Sequence, residues 1–299
     1  MKPNTDDQLT LEQDATLDES LRRVAYEAGM MLGLEATRDE QAYHRRRLTR
    51  HQYWLHGFGT LAGMAVSKDP ASHTNSSDPM AVRLVVGPGL GFDSFGREVL
   101  VHEPYCIELG QWLAAQEMTA LLEGYSEDDD LLWFKVTVRH QDCPVAAQPV
   151  LARKLNLSTD AVQPSRTADS VLLELIPELP PATEDGRFRP WAVHAPLPET
   201  MPSLTAAETA TLDAVPEGAE RNLLALHARQ LHALDTGGVS VQDLADAYAD
   251  NARILLARIS IQAPDINDIV VNPERISINN LVRPFLVSAS QLAWLLGQP

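Results

Sequence analysis

The glycines at 57, 59 and 63 constrain this chain more than any other feature. They follow a long polar stretch and precede a run of apolar residues, in Leu55-His56-Gly57-Phe58-Gly59-Thr60-Leu61-Ala62-Gly63. Glycine ends helices, accepts positive φ and lets backbones approach closely, so a helix-to-strand reversal is predicted here, with positive φ at Gly57 or Gly59. Upstream, Gly29 and Gly33 interrupt the apolar Met30–Leu34, which reads as a turn or short strand. Thr37 is the expected N-cap, with Glu40 completing a capping box, and the helix is predicted from about Arg38 to about Leu55. Helical periodicity puts His44, Leu48, His51 and Leu55 on one face, expected to pack on the body of the protein. Tyr43, Arg47, Arg50 and Trp54 share another face, with Arg46 beside it, and this basic, aromatic surface suits a partner.

The stretch Val82–Val101 reads as the sheet partner of the glycine-rich exit. Val82–Val86 and Arg97–Val101 are predicted strands, and Asp93-Ser94-Phe95-Gly96 a tight turn. Leu61–Val66 is expected as a strand, and Ser67–Asp78 as a polar loop. Asp93 is expected to cap the turn at Gly96, and Arg97 to form a structural ion pair. Gly87-Pro88-Gly89-Leu90-Gly91 lacks the lysine of a phosphate loop and has no helix directly after it, so it reads as a turn.

Composition narrows the class of protein. The 299 residues, 44% hydrophobic, can bury a sizeable core. A formal net charge of −17 argues against nucleic-acid binding and against an anionic membrane surface, and favours protein partners. Two cysteines, Cys106 and Cys143, make no disulfide framework, so a cytoplasmic setting and buried structural thiols are expected. The N-terminus has no apolar signal region, and no stretch is long enough for membrane insertion.

Further along, a helix is predicted over Gly110–Leu122, and Tyr125–Asp130 is a solvated acidic turn without the glycine and distal glutamate of a calcium loop. Leu131–His140 and Asp169–Ile176 are predicted strands joined by a long connection. Helices are expected over Ala206–Ala214, Ala219–Leu234, Val241–Asn251 and Ala289–Leu296, with strands over Ile254–Ile261 and Ile269–Val271. The predicted division is a flexible acidic arm (1–20), a helix plus β body (21–180), a proline-rich connection (181–205), and a helical insertion with closing strands and a terminal helix (206–299). The expected fold class is α+β: a mostly antiparallel β body with a long N-terminal helix and a C-terminal helical insertion.

Read in combination, several patches resemble a known family. Gly29-Met30-x-Leu32, Gln41-x-Tyr43-His44, and Leu55-His56-Gly57-x-Gly59-x-x-x-Gly63-x-x-Val66 come first. Gly89-x-Gly91-x-Asp93-x-x-Gly96-Arg97 and the closing Val282-Arg283-Pro284-Phe285 follow. Together they are similar to proteins of phage-tail-like contractile injection systems that sit at the baseplate or at the base of fibres. A weaker similarity is to the shoulder domain of the type VI secretion baseplate subunit related to phage receptor-binding proteins. Leu32-Gly33-Leu34 stands where the family often has Leu-Leu-Thr, and the loop after Cys143 lacks the family's extra cysteines. The resemblance implies a non-enzymatic structural subunit, assembled into a particle with other baseplate or fibre proteins, with homo-oligomerisation open.

No residue pattern suggests chemistry. HEXXH and Gly-x-Ser-x-Gly are absent, and His44 and His51 lie about 10 Å apart along a helix, too far to share one zinc easily. No catalytic residue, metal or cofactor is expected. The alternative reading is a small-molecule enzyme or binding protein using a cleft near His51 and His56.

Overall fold

A computed structural model of the chain describes residues 23–74, 82–149, 162–181, 203–231 and 252–296. The predicted acidic arm, nearly all of the proline-rich connection, the helix over Val241–Asn251 and the second half of the loop ending at Asp78 lie outside these residues.

The fold is α+β. Helix α1 (Leu34–His56) leads into β1 (Gly59–Gly63) and β2 (Val66–Lys68). A short helix, α2 (Pro70–Thr74), follows where a loop was expected. Strands β3 (Arg83–Val86), β4 (Gly89–Phe92), β5 (Glu98–Val101) and β6 (Tyr105–Glu108) come next. Two short helices, α3 (Leu109–Ala114) and α4 (Met118–Leu122), replace the single predicted helix, because Glu117 between them is extended. That break lets both Leu113 and Leu121 be buried.

Then come β7 (Tyr125–Ser126), β8 (Leu131–Pro149) and β9 (Val162–Pro177), followed by α5 (Ala206–Asp213) and α6 (Ala219–Leu231). The chain closes with β10 (Ile254–Gln262), β11 (Ile276–Asn279) and α7 (Ala289–Leu296). The strand expected over Ile269–Val271 does not form. Val271 is a buried anchor before a 3₁₀ turn at Pro273–Arg275, and β11 takes the place beside β10.

Three antiparallel sheets share one core. They run β1-β4-β5, β2-β3-β6, and β11-β10-β8 with β7 and β9 also paired to β8. Leu84, Val86, Val99, Val101, Leu132, Phe134, Val136, Ile254, Leu256, Ile259 and Ile261 belong to a single buried cluster. Each such side chain contributes about 1.5–3 kcal/mol by leaving water. On β8, Leu132, Phe134, Val136 and Val138 point into the core, and Thr137 on the opposite face is buried as well. Strand β10, which lies between β8 and β11, is buried at nearly every position, so both of its faces are covered. Residues 254–279 are therefore completing the sheet begun at 131, and the regions 21–180 and 206–299 share one hydrophobic core.

The connection after His140 is a strand. Strand β8 pairs with β9 from Phe134↔Pro177 out to Pro149↔Val162. Its pairing with β10 stops at Val138, so the outer half is a two-stranded ribbon. Pro144, Pro149 and Pro164 read as loop residues, yet all three lie within the paired stretch of this ribbon.

The glycines sit where strands nearly touch. Strand β1 pairs with β4 in the register Gly59↔Phe92, Thr60↔Gly91 and Gly63↔Gly89, with an irregularity between Thr60 and Ala62. A Cβ on Gly63 would collide with the Pro88 carbonyl, and one on Gly89 with the Ala62 carbonyl. From the other side, residues 280–286 lie along β1. Thr60 N donates to Pro284 O (3.0 Å) and Leu286 N to Thr60 O (2.9 Å). The Asn280 amide acts as a strand partner for Val66, accepting from its N–H (2.9 Å) and donating to its carbonyl (3.0 Å). Arg283 donates to the Gly63 carbonyl at 3.1 Å.

Gly57 and Gly59 both have positive φ, +74° and +134°, as the helix-to-strand reversal requires. Their surroundings differ. A Cβ on Gly57 would meet only Leu286 Cδ2 at 4.0 Å, whereas one on Gly59 would lie 2.7 Å from the Pro284 carbonyl oxygen. Gly57→Ala should therefore cost only the conformational strain, about 1–3 kcal/mol. Gly59→Ala should cost clearly more, because backbone must move; equal urea midpoints for the two variants would refute the close approach. Asn280→Ala should destabilise by about 1–3 kcal/mol, by stripping partners from the Val66 N–H and carbonyl. A urea midpoint unchanged from wild type would show that the clasp carries no stability.

Candidate functional site

Helix α1 begins at Leu34, one turn before the predicted start. Thr37 lies inside it, its hydroxyl bonded to the Gly33 carbonyl at 3.3 Å. The capping box does not form. Glu40 instead accepts from Val24 N (3.2 Å) and pairs with His44 Nε2 (3.0 Å). Before the helix, Met30 N bonds to Glu27 O and Gly29 has φ +89°, so the expected turn is present.

None of the described side chains on α1 is buried. The face assigned to the body is open: Leu48 is 68% exposed, and His44 and His51 are exposed. The physical reason is composition. That face alternates histidines with its two leucines, which gives too narrow an apolar stripe for burial to outweigh hydration. His51 and His56 stack edge-to-face at 5.9 Å on this open surface. The side chain of Leu55 lies outside those described.

On the other face, Arg47 Nη1 donates to the Tyr43 hydroxyl at 2.9 Å, and the Tyr43 ring meets His44 edge-to-face at 5.3 Å. Arg46 is half-buried and engaged. The side chains of Arg50 and Trp54 lie outside those described. Just ahead of the helix, Tyr26, Met30, Met31, Leu32 and Leu34 are all exposed, Met31 at 95%.

A second site lies where the β4–β5 turn meets the base of the ribbon. Asp93 is fully buried. Its carboxylate accepts from Phe95 N (3.0 Å), Arg97 N (2.9 Å) and Arg97 Nε (2.7 Å), and its carbonyl accepts from Gly96 N. This is the turn and ion pair read from the sequence, completed by the Arg97 guanidinium 4.8 Å over the Phe95 ring. Burial raises the Asp93 carboxyl above its usual value, opposed by the Arg97 charge and hydrogen bonds.

His140, whose side chain is 9% exposed, stands at this junction. Its Nδ1 faces the Glu98 carbonyl at 3.2 Å, and its Nε2 faces Asp142 Oδ1 at 3.0 Å. Asp142 lies directly opposite Asp169 in the β8–β9 ladder. Burial pushes the His140 imidazolium down, but the Asp142 hydrogen bond and charge, with the Glu98 carbonyl, outweigh it, so His140 titrates above its usual range. The same hydrogen bond holds Asp142 below the usual carboxylate range.

Sequence reasoning missed this grouping. His140-x-Asp142 carries the period-two signal of one strand face, but Asp169 joins it only through the hairpin register. Cys106 is exposed and Cys143 half-buried, so the expectation of two buried thiols fails. Cys106 sits on β6, which is an edge strand of its sheet among the described residues. Among the described residues, no helix is long and apolar enough to cross a membrane. No protein-family model matches the chain, and the search of curated proteins finds no match either.

The His140–Asp142 pair should leave a signed pH signature in chelator-treated protein. A raised histidine stabilises the fold fully below its unfolded value, near 6.5, and loses that contribution as pH rises through its folded value. A lowered aspartate contributes above its unfolded value, near 3.8, and loses it as pH falls through the folded one. The stability difference between wild type and His140→Gln should thus be greatest between about pH 4 and 6.5 and shrink toward pH 9. A difference constant from pH 5 to pH 9 in urea titrations would rule out the charged pair.

Proposed function

We propose that this chain is a non-enzymatic structural subunit of a phage-tail-like contractile injection system, at the baseplate or as a fibre adaptor. Residues 26–56 are its contact with neighbouring subunits. One observation carries this reading. A run of large apolar side chains from Tyr26 to Leu34 is left in water, at the start of a helix none of whose described side chains is buried. An apolar run of that kind is the mark of a surface that another protein covers. The basic, aromatic face of α1 adds Arg47, Tyr43 and Arg46 beside it, in a chain of net charge −17. Arginine and aromatic side chains dominate interface energetics, and a cationic stripe on an acidic protein suits an acidic neighbour, another copy of this chain included.

The sequence resemblance supports the particle. Its glycines and closing motif are the residues of the close strand approach and its clasp: Gly59, Gly63, Gly89, Arg283 and Pro284. The motif is therefore a folding motif that presents α1 at one end, rather than a set of reacting groups.

The test is charge reversal on the helix. Arg46→Glu with Arg50→Glu should give a folded protein with a thermal midpoint close to wild type that no longer enters tail-like particles in the native source, as seen by electron microscopy and immunoblotting of purified particles. A folded double variant that is incorporated at wild-type levels removes this face as the contact. Particles that never contain the wild-type chain remove the functional reading itself.

A further inference from the structure

We propose that His140, Asp142 and Asp169 form a binding site for a divalent transition-metal ion of the zinc class, at the point where the β8–β9 ribbon leaves the sheet. The three offer one imidazole nitrogen and two carboxylate oxygens, all within 4.8 Å of one another. One imidazole with two carboxylates is a donor set suited to zinc, with water completing a tetrahedral shell.

Three independent features favour an ion here. The first is the histidine's far side. His140 Nδ1 lies 3.2 Å from the Glu98 carbonyl, contributed by a different strand, and this fixes the ring with Nε2 toward the carboxylates. A backbone carbonyl on the distal nitrogen is the usual support of a metal-ligating histidine. The second is the ladder. Asp142 and Asp169 are directly opposed across β8 and β9, a like-charge pairing that a cation between them would relieve. The third is rigidity. The His140 side chain is nine-tenths buried, so one ligand is held in place while exposed Asp169 can close onto an ion.

The other charges facing the site are accounted for. Arg97 is bound to buried Asp93 at 2.7 Å, and Arg45 of α1 bears on Asp142. Without the ion, the His140 hydrogen bond and the Arg45 charge bear on Asp142. With it, the metal takes the Nε2 lone pair. The role is structural: the ion would tie both ribbon strands to the β5 end that carries Glu98, setting the angle at which the ribbon projects.

Full-length protein stripped with a chelator and titrated with Zn²⁺ should bind one equivalent in calorimetry, and Zn²⁺ should raise its thermal midpoint. Co²⁺ in its place should give visible absorption bands of a low-coordinate nitrogen–oxygen site. Asp169→Asn, a change at an exposed position, should weaken Zn²⁺ at least about tenfold. His140→Gln should remove the Co²⁺ bands. His44→Gln with His51→Gln, on the open helix, should leave the affinity unchanged. Equal Zn²⁺ affinity in wild type and Asp169→Asn overturns the proposal, as does loss of binding in the helix double variant. So does the absence of any Zn²⁺ heat or Co²⁺ band up to about 1 mM with wild-type protein, a measurement that needs no variant to fold.

Discussion

The close passage of β1 against β4 is the constraint on which the rest of this structure depends. Gly63 and Gly89 face each other there with no room for a Cβ on either, and Gly59 is pressed against the Pro284 carbonyl. Interstrand distance in a sheet is set by hydrogen bonding, but the approach of a third segment is set by side-chain bulk. With glycine at these positions, residues 280–286 can lie along β1 and bond to both sides of Thr60. The chain's C-terminal part is thereby tied to strands more than two hundred residues earlier, just after β10 and β11 have joined the sheet of β8.

The buried charges serve the same geometry. Asp93 is removed from water at a cost offset by its hydrogen bonds from Phe95 N, Arg97 N and the Arg97 guanidinium. The turn it organises carries Glu98 to the side of His140, so a local β-hairpin sets the environment of a residue on the distant β8 strand. Through His140 that order passes to Asp142 and Asp169 at the root of the ribbon. Two small sheets and a long hairpin are joined by charge as well as by apolar packing.

Against this well-packed body, the α1 region stands apart in its energetics. Its apolar approach is exposed, and none of the described side chains of the helix is buried. A helix in that position is held by its intrinsic propensity, by pairs such as Glu40–His44 and Tyr43–Arg47, and by whatever it meets outside the chain. The contrast between this exposed stretch and the packed sheets is what the proposed contact with neighbouring subunits rests on.

Sequence alone determined the elements whose cause is local. The Gly57 reversal, the Asp93–Arg97 turn, the alternating strand at Leu131–His140 and the terminal helix Ala289–Leu296 follow from φ preference, side-chain capping and periodicity within a few residues. Tertiary structure decided whatever rests on register or on competition for burial. The prolines after Cys143 looked like loop until pairing with β9 placed them in a two-stranded ribbon. The His44–Leu48–His51 face looked inward until the sheets closed their core without it. Asp169 came to face Asp142 only through a hairpin register fixed by the inward pattern of β8 and β9, because a shift of one residue would turn every side chain to the opposite face.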